Sequence, residues 1–154
     1  MEIVVECNPD EALMRALGYP RKMVFHQSSK AEVLRYLEKN PNSIGIVDED
    51  PGRNNAGYFT KYRKQGQAKF GIEEFFNTKK KTRLIVLKPR LEEWVLAHAI
   101  MSQVDPKKYS LPADGHHLHK SINEQIPKFE KMLAEMLTKK SKALLHLRQL
   151  IDAK

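Results

Sequence analysis

The chain has a single cysteine and no long apolar run, and each scarcity excludes something. With Cys7 alone no internal disulfide can form, and such a chain suits a reducing compartment. No apolar stretch approaches the roughly 18 residues that a membrane-spanning helix needs. The first residues lack the basic-then-apolar order of a secretory signal, so a cytoplasmic protein is expected, with no membrane partner. Neither a glycine-rich phosphate loop nor a Ser-His-Asp order is present. Acids are also in deficit: 27 Lys and Arg stand against 19 Asp and Glu, a formal charge of +8. What remains, over 154 residues, is an ordinary globular composition long enough to bury a core.

The positive excess is unevenly placed. From Pro51 to Arg83 nine cations face two acids, so this segment holds nearly all of it. Directly before it, the apolar, β-branched run Ile44-Gly45-Ile46-Val47 ends in Asp48-Glu49-Asp50 and a Pro51-Gly52 turn. The run reads as a buried strand. Three adjacent acids repel one another, so a fold either leaves them solvated or gathers them around a cation. A basic segment beside an acidic cluster is what a polyanion brought to a metal requires.

Read in order, Glu2 to Glu6 is a short strand, and Asn8-Pro9-Asp10 opens a helix with Asn8 as its cap and Asp10 suited to the dipole. Lys22 to His26 is a second strand, and Ser28 or Ser29 caps a second helix carrying Val33, Leu34 and Leu37. The run ending in three acids is the third strand, and Arg83 to Leu87 the fourth. Between them, residues 51–81 show no pattern beyond one or two possible helical turns at Ile72 to Phe76. Leu91 to Val104 reads as a helix with Glu92 and Glu93 in its first turn, where the dipole favours acids. Asp105 to Gly115 reads as a loop, and Gly115-His116-His117-Leu118-His119 as a polar loop without ligand partners at zinc spacing. Helical spacing returns from Lys128, with a break near Thr138 to Lys142. The expected fold is α/β: a mainly parallel, four-stranded, Rossmann-like sheet flanked by helices. Residues 1–105 form it, including the basic connection 51–81, and residues 106–154 form a helical extension packed on the same domain. The last helices also offer a surface for a homodimer or a partner protein.

Taken together, Val4-Val5-Glu6-Cys7-Asn8-Pro9-Asp10 and Ile46-Val47-Asp48-Glu49-Asp50 resemble the two signature motifs of the TOPRIM domain. That family has a glutamate closing its first strand and an Asp-x-Asp pair after its third. Glu6 matches the glutamate, Asp10 the aspartate that trails it, and Asp48 and Asp50 the pair; Cys7 stands where the family usually has glycine. The resemblance implies Mg²⁺- or Mn²⁺-dependent phosphodiester chemistry on DNA or RNA. Topoisomerases of this kind need a tyrosine from another domain and primases a polymerising scaffold, so the chain looks most like the nuclease branch.

On this reading Glu6 is a metal ligand or general base, and Asp48 and Asp50 are ligands. Lys88, closing the fourth strand, stabilises charge on the phosphate, and Glu92 or Glu93 completes a second metal position. Arg53, Lys61, Arg63, Lys64, Lys79, Lys80 and Lys81 hold the nucleic-acid backbone, with Tyr58, Phe59, Tyr62 and Phe70 interleaved. Cys7 is not expected to act as a nucleophile, because a neighbouring carboxylate raises its pKa. Two other readings compete: a non-catalytic TOPRIM-like module that binds nucleic acid or a partner, and a receiver-like switch phosphorylated on Asp48.

Overall fold

The computed structural model describes residues 1–52 and 60–153. Its centre is a six-stranded sheet built from β1 (Ile3–Val5), β2 (Val24–His26), β3 (Ile44–Asp48), β4 (Arg63–Lys69), β5 (Ile72–Asn77) and β6 (Thr82–Leu87), in the order β2-β1-β3-β6-β5-β4. The first four in that order are parallel, and β5 and β4 add to β6 as an antiparallel hairpin. The α/β expectation therefore holds, but the sheet is mixed and has six strands rather than four. The two extra strands come from the basic connection.

Side-chain alternation sorts the core into two layers. Ile3, Val5, Ile44, Ile46, Ile85 and Leu87 face a cluster that includes Leu13 and Met14 of α1 (Asn8–Ala16) and Trp94 and Val95 of α3 (Leu91–Met101). Val4, Val47, Leu84 and Val86 face Val33, Leu34 and Leu37 of α2 (Lys30–Lys39) on the other side. Gly45 lets α2 approach closely: a Cβ there would lie 2.9 Å from Leu37 Cδ1 and 3.0 Å from Val33 Cγ1.

The C-terminal residues form α4 (Gly115–Ser121), α5 (Ile126–Thr138) and α6 (Lys142–Asp152), whose Leu118, Phe129, Met132, Leu133, Leu144 and Leu147 join the α1/α3 cluster. The break before α6 falls where the sequence places it. Arg83 of β6 ties α6 down, donating to the carbonyls of Leu150 and Ile151 at the negative end of that helix. Tyr19 adds a 2.7 Å hydrogen bond to Asp152. Among the described residues no helix is long and apolar enough to cross a membrane.

Three local expectations are corrected and one, the cap of α2, is narrowed. Ile72 to Phe76 is a strand, because pairing with β6 over its whole length outweighs its helical spacing. Asn8 does not cap α1; Cys7 occupies that position with no side-chain cap. Ser29, not Ser28, caps α2, accepting from the Glu32 amide at 3.2 Å. The histidine-rich stretch is a helix, capped by Asp114 on the His117 amide at 3.0 Å and anchored by the fully buried Leu118.

Candidate metal centre at the carboxyl edge of the sheet

Parallel strands deliver their carboxyl ends to one edge, where an α/β sheet places its ligand site. Here that edge collects Glu6 after β1 and Asp48 at the end of β3, with the Asp48 amide donating to Glu6 Oε1 at 3.4 Å. α1 and α3 both begin at this edge and add Asp10 and Glu92 from their first turns. Asp48 Oδ1 accepts from the Leu91 amide at 3.0 Å, so the same carboxylate also fixes the start of α3. Asp10 is 0% and Glu92 3% exposed, far more buried than placement for the helix dipole alone requires.

The acids divide into two sets. The outer set is matched by cations: Asp50 pairs with Lys30 at 3.4 Å and Arg90 at 3.4 Å, Glu49 with Lys88 at 3.2 Å, and Glu93 with Arg90 at 3.5 Å. Lys30 is itself buried and also donates to the Glu49 carbonyl at 3.3 Å. In the inner set, neither Asp10 nor Asp48 has a Lys or Arg ion-pair partner among the described residues. Among the described residues Glu92 is met only at Oε1, by His119 Nδ1 at 3.0 Å.

The inner set is consequently strained electrostatically. Burial, then the negative charges of Asp10, Glu6, Glu92 and Asp50, pushes Asp48 up to about 9. Burial, with Glu6 and Glu92 nearby, raises Asp10 to about 7 despite the hydrogen bond from Cys7 Sγ at 3.0 Å. The thiol is raised too, by burial first and then by Asp10, so Cys7 is an inert donor, as expected. Among the described residues, two inner oxygens, Asp10 Oδ1 and Glu92 Oε2, are buried without a hydrogen-bond partner, as is Glu93 Oε2 beside them. A buried carboxylate oxygen with no donor is costly unless a proton or a cation meets it. These acceptor-only, hard oxygen donors fit Mg²⁺ or Mn²⁺ in kind. Among the described residues no three His, Cys, Asp or Glu side chains are already drawn together as a metal cage.

The predicted site residues are thus not equally placed. Glu6, Asp48 and Glu92 share the inner cluster, and Asp50 lies on its rim, held by two cations. Lys88 is at the same edge, tied to Glu49 and Glu73, and those contacts hold its pKa above the ordinary lysine value. The cations predicted to bind nucleic acid mostly lie elsewhere. Lys79, Lys80 and Lys81 form the turn before β6, and Arg63 pairs with Phe76 near that turn, at the opposite edge of the sheet. Lys61 pairs with Glu38 and Lys64 with Glu73, while Lys69 lies at the acidic edge over the Phe70 ring. Arg53, with Tyr58 and Phe59, lies outside the described residues. Sequence reasoning missed Asp10 as a site residue, reading it chiefly as a dipole partner, although its place four residues after Glu6 was the available signal. It gave no role to Lys30 or Arg90, whose partners only the fold reveals.

No protein-family model, curated protein or solved structure matches this chain.

Proposed function

We propose that this protein is a TOPRIM-like, Mg²⁺- or Mn²⁺-dependent phosphodiesterase that cleaves nucleic acid at the acidic edge of the sheet. One observation carries the reading: Asp10 and Glu92, whose charges act on Asp48, each bury an oxygen with no hydrogen-bond partner among the described residues, and neither aspartate has a basic partner among them. Such a cluster holds a proton when empty and favours a divalent cation in its place. Mg²⁺ is held through one or two carboxylates and otherwise keeps its waters, so a closed protein cage is not required.

One or two of Glu6, Asp48 and Glu92 would hold the ion, the others and Asp10 meeting its waters, with Asp50 fixed at the rim by Lys30 and Arg90. The bound ion would polarise the phosphoryl group and lower the pKa of the attacking water. Glu6, close to Asp48 yet less buried than Asp10, would accept the proton of the attacking water. Lys88 and Arg90 line the rim and neutralise phosphate oxygens as the substrate approaches. The N-termini of α1 and α3 contribute further positive potential at this edge.

The basic residues support a substrate that spans the sheet. β6 is six residues long, about 20 Å at the usual strand rise, which separates Lys79, Lys80 and Lys81 from the acidic edge. A duplex covers that distance in about six base pairs. The receiver-like reading is disfavoured because a receiver has five βα units, whereas the described sheet has four parallel strands and an antiparallel hairpin.

Incubation of the wild type with single- and double-stranded DNA and RNA, with Mg²⁺ or Mn²⁺ against EDTA, tests the proposal. Metal-dependent cleavage that Asp48→Asn abolishes, with binding retained, is the expected result. Metal-independent binding that is unaltered by Asp48→Asn and never leads to cleavage would favour the non-catalytic module.

A further inference from the structure

α4 is docked onto the two acids that open α3. A Cβ at Gly115 would lie 2.5 Å from Glu93 Cγ and 3.1 Å from its Oε1, so the absence of a side chain there lets the helix reach this position. Leu118 is 0% exposed and pins α4 to the core, which sets the next residue, His119, over Glu92. Its Nδ1 meets Glu92 Oε1 at 3.0 Å, and because a carboxylate only accepts, Nδ1 carries the hydrogen. The ring remains 66% exposed while the Glu92 side chain is 5% exposed. Packing therefore does not demand the histidine. The other oxygen of Glu92 is buried and has no donor among the described residues.

We propose that His119 is a positioning residue for the cation site: it fixes Glu92 through Oε1 and so presents Oε2 to the ion. The assignment rests on the cation-dependent reading above and makes the C-terminal extension part of the site. A hydrogen bond from the outer shell fixes a ligating carboxylate and maintains its affinity for metal, and loss of such a partner commonly weakens binding about 10- to 100-fold. Glu92 also adds to the negative potential at Asp10 and Asp48, as a group facing the same cluster does.

The test is Mn²⁺ binding to the full-length protein, read by the electron paramagnetic resonance of free Mn²⁺, with thermal melting in EDTA alongside. His119→Ala should raise the Mn²⁺ Kd about 10-fold or more, whereas His119→Asn, which returns an N–H near Nδ1, should restore most of the affinity. On a Glu92→Gln background His119→Ala should add almost nothing, because the two act through one contact. If His119→Ala binds Mn²⁺ as tightly as the wild type, or lowers the melting temperature without altering Kd, the positioning role is overturned while the cation site stands. A wild type that binds no Mn²⁺ overturns both.

Discussion

At the residue scale, the informative feature is charge that the fold buries without neutralising. Asp10 and Asp48 have folded pKa values of about 7 and about 9, raised by burial first and then by neighbouring carboxylates. An unfolded aspartate titrates near about 4. Their contribution to stability is therefore fully present below that pH and is lost as pH rises through the folded values. Without metal, the protein should lose stability between about pH 5 and about pH 9. Asp48→Asn keeps an oxygen for the Leu91 amide and removes the charge. In EDTA it should melt above the wild type at pH 8.5 and converge with it near pH 5, as scanning calorimetry would show. A difference independent of pH would mean that Asp48 is not ionising against its neighbours. The place of Glu6 and Asp48 at one edge of the sheet was legible from their strand-end positions. That of Asp10 was not, because a first-turn aspartate ordinarily satisfies a helix dipole at the surface, and burial is a property of the assembled edge.

At the scale of elements, the hairpin of β4 and β5 separates what the sequence shows from what the fold adds. β1, β3 and β6 are β-branched runs buried on both faces, and such runs can be read directly. β4 has the sequence Arg-Lys-Gln-Gly-Gln-Ala-Lys and is exposed along its whole length, so no apolar alternation marks it. It is a strand only because β5 supplies a partner. β5 misleads because Ile72, Phe75 and Phe76 also fit one face of a helix. The turn between them is two residues, Phe70 at φ 53° and Gly71 at φ 67°, the left-handed pair that a tight hairpin with right-twisted strands requires. Trp94 holds it, donating from Nε1 to the Phe70 carbonyl at 2.7 Å, and a Cβ on Gly71 would lie 2.9 Å from Trp94 Cδ1. Gly71→Ala should therefore cost about 1–2 kcal/mol from backbone conformation, with the crowding at Trp94 adding to it. Urea unfolding measures this, and a neutral result would place the turn elsewhere in conformational space.

At the scale of the whole molecule, the proposed function assigns chemistry to one edge of the sheet and part of the substrate's grip to the other. Neutralising Lys79, Lys80 and Lys81 together should weaken nucleic-acid binding and flatten the plot of log affinity against log salt by about 3, near 0.9 for each phosphate no longer neutralised. It should leave the affinity for Mn²⁺ unchanged, since these lysines lie a strand's length from the acids. An unaltered salt slope would remove that turn from the binding surface. The central claim, however, concerns the acidic edge, and calorimetric titration of the metal-free protein with Mn²⁺ at pH 7.5 tests it most directly. The wild type should bind saturably, displace protons into the buffer, and gain about 3 kcal/mol of stability at a hundredfold excess over Kd. Asp48→Asn should bind far more weakly while remaining folded. A wild type that gives neither heat nor stabilisation, or an Asp48→Asn protein that binds as the wild type does, would contradict it.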